Sequence, residues 1–266
     1  KIAEKGDTPF SGKFFGSLNL SFKKGLGGVW GRAPRSSPPE RKCVVSFINM
    51  LSMLGSGMLT SLLIFCVTLL FSLPLGMLIC LGRRSGSPVL RWILRVYISV
   101  MRGTPLMLQL VVVYFAPYSL FGVSLGSLFG GNYRIMAVLI GFVINYAAYF
   151  AEIYRAGLES IPAGQYEAAK VLGYSRPQTF MCIILPQLTR RVLPTVTNEV
   201  ITLIKDTSLA YTVSVVEMFT VAKQISAAET DMTALFVAGL IYYVFNFAVA
   251  FGMERLERRM NTYSIR

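Results

Sequence analysis

Polar and apolar positions along this chain fall into long blocks rather than short amphipathic stripes. Met58 to Leu81 reads MLTSLLIFCVTLLFSLPLGMLICL and carries no charge. About 24 residues of helix are enough to cross a hydrocarbon core roughly 30 Å thick. Pro74 predicts a kink there, tolerable where neighbouring helices or hydroxyls satisfy the freed carbonyl. Gly82-Arg83-Arg84 ends the block on a basic boundary. Residues 89–101 mix Arg91 and Arg95 with Trp92, Ile93, Leu94, Val96 and Tyr97, the pattern of an interfacial helix. Arg102-Gly103-Thr104-Pro105 breaks it, and Pro105 suits the first turn of a second span running to about Tyr118. A Gly-rich loop from Gly122 to Asn132 follows. Further spans are expected over about Ile135–Ile153, Val192–Leu209 and Thr233–Met253. Residues 211–228 are mildly amphipathic and are placed on the far side. The pattern therefore predicts an all-α, polytopic membrane protein with five transmembrane helices.

Composition supports insertion in a bilayer. The 266 residues are 54% hydrophobic, and the mean hydropathy is +0.57. The formal charge of +13 is carried by residues that flank the apolar blocks. That arrangement argues against nucleic acid as a partner and for a basic membrane surface. With the N-terminus outside, the inner loops hold Arg83, Arg84, Arg91, Arg95 and Arg102, then Arg155, Lys170, Arg176, Arg190 and Arg191, and finally Arg255, Arg258, Arg259 and Arg266. The outer loops hold little beyond Arg134, Lys205 and Lys223. The asymmetry predicts an outside N-terminus and a cytoplasmic C-terminus.

Residues 1–45 form a separate region, an extracytoplasmic arm or tether ahead of a membrane domain at 46–266. They carry nine Lys or Arg, and RAPRSSPPERK (Arg32–Lys42) reads as flexible. No apolar h-region follows the first charges, so a secretory signal is not expected.

Candidate chemistry is sparse. The chain has no histidine, which removes Ser-His-Asp, Cys-His and most zinc sites. No G-x-x-x-x-G-K-[ST] occurs, so no P-loop is expected. Cys43, Cys66, Cys80 and Cys182 form no C-x-x-C pair and read as apolar filler. No metal, cofactor or catalytic group is expected. Glu199, Lys205 and Asp206 are costly in a membrane segment. Lys205 and Asp206 read either as an outer-interface pair or as pathway groups, whereas Glu199 lies deeper. Asn145 stands alone in mid-span and faces either a pathway or another helix. Glu152 and Arg155 are placed as an interfacial ion pair.

The segment Gln165–Pro186, QYEAAKVLGYSRPQTFMCIILP, is a polar connector between two membrane-grade blocks. Pro162 precedes a helix-permissive run, Gly173 is able to end it at positive φ, and Pro177 is able to open a second helix. Glu167-Ala168-Ala169 is followed after three residues by Gly173, and after nine more by Ile183, Leu185 and Pro186. This spacing resembles the EAA loop of ABC-importer membrane subunits, E-A-A-x(3)-G-x(9)-I-x-L-P. The resemblance extends to Met101–Leu106 with Gln109, to Tyr149–Arg155, to Ser160–Gln165, and to Asn198-Glu199 with Lys205–Leu209, and is strongest to the polar amino-acid branch. It covers about residues 58–260.

The resemblance implies a type I importer permease fold in a bacterial cytoplasmic (inner) membrane. It implies a translocation pathway for polar amino acids, with Asn145, Asn198, Glu199, Lys205 and Asp206 as candidates to line it. Gly164, Glu167, Ala168, Ala169, Gly173, Ile183, Leu185 and Pro186 would couple that pathway to a dimer of P-loop ATPase subunits. ATP and Mg would bind those subunits and not this chain. A second permease copy or paralogue and an extracytoplasmic solute-binding protein complete the implied assembly. The opening KIAEKGD resembles the tail of such a binding protein, so residues 1–45 are either a plain arm or the remnant of a fused binding domain. The competing reading is an ion-coupled secondary carrier that uses Glu199 and Asp206 as relay groups. That class usually carries an internal inverted repeat, and none is visible here. A signalling protein that binds an ATPase without moving solute is a third, weaker reading.

Overall fold

The structure, a computed structural model, describes residues 39–122 and 130–261. The expected N-terminal arm lies outside the described residues up to residue 38, as does most of the Gly-rich loop. The chain divides into two units, Lys1–Ile48 and Asn49–Arg266. Of the first, only the opening turns of α1 are described. No strand occurs among the described residues.

Helix α1 spans Pro39–Arg83 and continues through Pro74. Its charge-free stretch extends well before Met58, so the apolar span begins earlier than the sequence block suggests. Helices α2 (Pro88–Gly103) and α3 (Leu106–Phe121) follow. Ser87 caps α2 by accepting from the Leu90 N–H, with Pro88 in the first turn where its missing N–H is not needed. Thr104 and Pro105 are extended, and α2 and α3 meet there at a bend of 115°. A helix is therefore present where the interfacial one is expected, Ile98 on it is buried, and it packs on α4.

Helix α4 covers Tyr133–Glu159. Its small residues Ala147, Ala148 and Ala151 are fully buried. At Gly76 a Cβ would stand 2.8 Å from the Phe150 Cβ and 3.0 Å from the Ala147 carbonyl oxygen. Glycine is what lets α1 and α4 approach this closely, the small-residue packing of membrane helices. After α4 come α5 (Ala163–Val171), the short α6 (Arg176–Gln178), a π-helical segment Thr179–Ile184, and α7 (Leu185–Asp206). A 3-10 turn at Thr207–Val213 leads to α8 (Met218–Glu229) and then to α9 (Thr233–Asn261). Just before α9, Thr233 donates to Asp231 through its N–H and hydroxyl, which holds that exposed carboxyl below its usual range.

Within the second unit the main core gathers α1, α3, α4 and α7 around Phe142, Phe150, Ile184, Leu188 and Leu203. A smaller cluster joins the first turns of α1 in that unit to α8 and α9 through Leu54, Met218, Ala222 and Ala238. Among the described residues three helices, Phe47–Arg83, Tyr133–Glu159 and Thr233–Met260, are long and apolar enough to cross a membrane. Counting the bent α2–α3 pair as one span makes four. The remaining expected span falls in α7, which has the length, about 33 Å at 1.5 Å per residue. It carries Arg190, Arg191, Glu199, Lys205 and Asp206, and so does not stand out by composition.

Candidate coupling loop and buried polar cluster

The loop is built by local backbone geometry. Helix α5 closes with two paired bonds: Gly173 N–H to the Lys170 carbonyl at 3.1 Å, and Tyr174 N–H to the Ala169 carbonyl at 3.0 Å. This is a Schellman stop, and it requires left-handed backbone at Gly173, whose φ is +78°. Ser175 then opens the second arm, with the Gln178 Oε1 accepting from its N–H at 2.9 Å and its hydroxyl at 2.8 Å. The chain winds on through the π segment, whose end bonds Leu185 N–H to the Phe180 carbonyl.

Burial sorts the loop residues into three sets. Ala169 and Ile184 are 1% and 0% exposed and anchor the loop on the bundle. Ile183 and Leu185 are half-buried, while Gly164, Glu167, Ala168, Gly173 and Pro186 are exposed. The turn leaves Val171 and Leu172 87% and 72% exposed, with Tyr174 and Met181 also open. The turn thus carries an apolar tip rimmed by Glu167, Lys170 and Arg176. The base is tied down at both ends. Gln187 donates to Gln165 at 3.2 Å, and Arg191 donates to the Ser160 carbonyl and hydroxyl.

The second constellation lies at the α2–α3 bend. Asn145 of α4 is 3% exposed and donates to the Gln109 Oε1 at 2.9 Å and to the Met101 carbonyl at 3.2 Å. Gln109 in turn donates to the Met101 carbonyl, the Thr104 carbonyl and the Thr104 hydroxyl. Two amides thus satisfy the carbonyls that the broken helix releases, as buried backbone groups demand. Tyr97 adds a bond to the Ile144 carbonyl at 2.5 Å. Of the two readings of Asn145, contact with other helices is the one its bonds describe.

Beside this clasp, Tyr146 donates to Asp206 at 2.7 Å, and the Arg102 guanidinium lies 5.5 Å from the centre of the Tyr149 ring. Glu199 interacts electrostatically with both Asp206 and Arg102. Glu199 and Asp206 are seven residues apart, so they share one half-buried face of α7. Asn198 and Lys205 share the neighbouring exposed face. The structure therefore brings Glu199 and Asp206 together and leaves Asn198 and Lys205 aside. Asp206 is held by Tyr146 rather than by an ion pair with Lys205.

At the other end of α4, Glu152 accepts from Arg83 at 2.7 Å and from Arg155 at 2.5 Å, and Arg155 also reaches Glu159. The expected Glu152–Arg155 pair is present and extends to α1. With side chains 20–31% exposed for Arg83, Glu152 and Arg155, it is a modest clamp.

Glu217 has no counterpart in the sequence reading. It is 0% exposed and caps α8, accepting from the Phe219 and Thr220 N–H groups at 2.7 Å each. The hydroxyls of Thr220, Tyr242 and Ser61 also point to it, at 2.8, 3.0 and 3.4 Å. Glutamate lies outside the short residues that usually mark an N-cap, which hid it. Gln109 was visible only as part of a resemblance and had no role until Asn145 was placed beside it.

Long apolar helices packed through small residues, with their polar groups paired internally, define a polytopic helical membrane protein. The model of the binding-protein-dependent transport system inner membrane component family matches residues 72–262, and the chain belongs to that family. It is 34% identical over 212 residues to the L-cystine transport system permease protein TcyB of Bacillus subtilis (strain 168), covering 79% of this chain and 87% of that protein. It is 32% identical over 188 residues to the histidine/lysine/arginine/ornithine transport system permease protein HisM of Salmonella typhimurium, covering 70% and 80%. Among solved structures, a crystal structure of an amino acid ABC transporter with histidines superposes with a TM-score of 0.71 at 26% identity, covering 81% of this chain and 97% of that one. An inward-facing structure of the MetNI methionine ABC transporter shares the fold, with a TM-score of 0.58 at 18% identity over 85% of this chain and 99% of that one.

Proposed function

We propose that this chain is the permease subunit of an ATP-driven importer of polar amino acids, and that the loop Ala163–Pro186 is where it engages its ATPase. The observation that carries the reading is the Schellman turn at Gly173. It presents Val171 and Leu172 to solvent while Ala169 and Ile184 hold the loop to the bundle. A short rigid helix with an apolar tip fits a groove on a soluble partner. Closure of two ATPase subunits around ATP and Mg would draw their grooves together. The loop, tied to α7 by Gln165–Gln187 and Ser160–Arg191, would carry that motion into the helix bearing Glu199 and Asp206. The pathway would run past Arg102, Tyr149, Glu199 and Asp206, between this chain and a second permease copy or paralogue. A binding protein, free or fused, would deliver substrate from the side opposite the loop. The basic residues of the loops support a cytoplasmic coupling loop and C-terminus and an N-terminus outside a bacterial cell.

The ion-coupled carrier is set aside, because transport in this family depends on a binding protein. The test is uptake by vesicles holding the permease, its ATPase and the binding protein. Amino-acid uptake is expected with ATP inside the vesicles and none with a proton gradient alone. Gradient-driven uptake without ATP would overturn the reading.

A further inference from the structure

We propose that an apolar groove between α1, α7 and α9 holds an acyl chain of an anionic phospholipid, drawn from the leaflet on the coupling-loop side. The groove has a volume of about 550 Å³ and is walled by residues such as Leu69 and Met77 of α1, Leu185 and Val196 of α7, and Val249 and Leu256 of α9. Apart from Tyr154 and Thr189 its lining side chains are apolar, and the Thr189 hydroxyl is already given to the Leu185 carbonyl. A zwitterionic amino acid would find almost no partner here, so the groove is separate from the polar cluster.

Its proportions select a chain over a helix. Along α7 the lining runs from Leu185 to Val200, about 22 Å at 1.5 Å per residue. One leaflet offers roughly 15 Å of hydrocarbon, so the groove spans a leaflet's depth. Even its whole empty space, ≈ 1170 Å³ with the open side included, gives a mean cross-section of only about 53 Å² over that length. A helix about 10 Å across needs roughly 80 Å². A whole helix of a second copy is therefore too thick to lie inside the groove, while an extended hydrocarbon chain is not.

Charge selects the head group. Arg190 follows Thr189 at the loop end of the groove, and Arg259 lies one turn beyond Leu256 on α9. Neither makes a hydrogen bond or ion pair among the described residues. The nearby acids are engaged: Glu254 with Arg258, Glu257 with the Thr197 hydroxyl, and Glu152 and Glu159 with Arg155. Arg191 is bound to Ser160. Two arginines without a protein partner thus neighbour lining residues in the sequence at the loop end of the slot, the basic character that recruits a lipid phosphate.

Native mass spectrometry of the assembled transporter, released from bilayers of equal phosphatidylglycerol and phosphatidylcholine, tests this. Bound phosphatidylglycerol is expected to exceed phosphatidylcholine several-fold. The excess should vanish in Arg190→Gln/Arg259→Gln, and total bound lipid should fall in Val196→Trp, which fills the slot. Should Val196→Trp not assemble, the arginine pair carries the test alone. Equal binding of the two lipids, or an excess unchanged in the arginine variant, would overturn the proposal. So would spontaneous disulfide formation between two copies carrying Met253→Cys, which would place a second copy in the groove.

Discussion

At Gly173 the helix breaks and is re-closed by neighbours: every bond that shapes the turn comes from within a few residues. At Gly103–Pro105 the helix also breaks, but the freed carbonyls of Met101 and Thr104 are taken up by Gln109 and by Asn145 from a different helix. The first break faces water and leaves apolar side chains exposed. At the second, Gly103, Thr104 and Pro105 are exposed too, but the two amides that take up its carbonyls, Gln109 and Asn145, are buried. The difference separates two kinds of constraint. On the proposed reading the loop meets a partner, and its exposed turn residues, unlike the buried Ala169 and Ile184, matter little to the stability of the bundle. The bend is braced from its buried side across two helices, and those two amides hold the bundle together.

The sharpest way to break this division is at the buried side. Glu217→Leu strips an acceptor from two backbone N–H groups and from nearby hydroxyls. At about 1–3 kcal/mol for each buried donor left unpaired, a loss of at least ~3 kcal/mol is expected. It would be read as a steep fall in melting temperature and in yield of folded protein. A melting temperature matching the parent would contradict the buried-polar account. The clasp comes next. Asn145→Leu and Gln109→Leu should each cost about 1–3 kcal/mol, and the double variant should cost less than their sum by ~1 kcal/mol, since each deletion already removes the shared bond. Strict additivity in a thermal or chemical unfolding series would show that the two amides do not act together.

Smaller still is the expected stability effect of Glu199→Gln, which keeps shape and removes charge on the half-buried face of α7. Folding and ATPase retention should be near the parent, within about 1 kcal/mol, while uptake should fall. Lys205→Met, on the exposed face, should do least of all. Equal uptake in Glu199→Gln and the parent would move the pathway away from the Arg102–Asp206 cluster.

The same division explains what the sequence could reveal. The loop was legible because its geometry is a matter of spacing: a glycine at the stop, a proline opening the next arm, alanine where the backbone packs. The polar core was less so. Asp206 read naturally as a partner for Lys205, yet adjacent residues on a helix point away from each other, and Tyr146 from another helix takes its place. Asn145 stood out as the one strongly polar residue in mid-span, but its partner lies far along the chain at Gln109. Glu217 was hidden because nothing local distinguishes a capping glutamate from an exposed one. The block around Val192–Leu209 predicts a span of its own. The structure makes it the larger, far part of α7 and the start of the 3-10 turn, with α7 beginning at Leu185 as a continuation of the loop itself.

The central claim is that the Gly173 turn transmits ATPase motion, and its backbone angle gives the most direct measurement. Val is strained at positive φ by about 1–2 kcal/mol, whereas Asn adopts that conformation readily. Gly173→Val and Gly173→Asn should be compared for co-purification with the ATPase and for ATP-driven uptake, with the melting temperature of the isolated permease as control. The account predicts a melting temperature lowered by no more than several degrees in Gly173→Val and near the parent's in Gly173→Asn, loss of ATPase retention and uptake in Gly173→Val, and recovery of both in Gly173→Asn. Normal uptake in Gly173→Val, or equal loss in both variants, would contradict it.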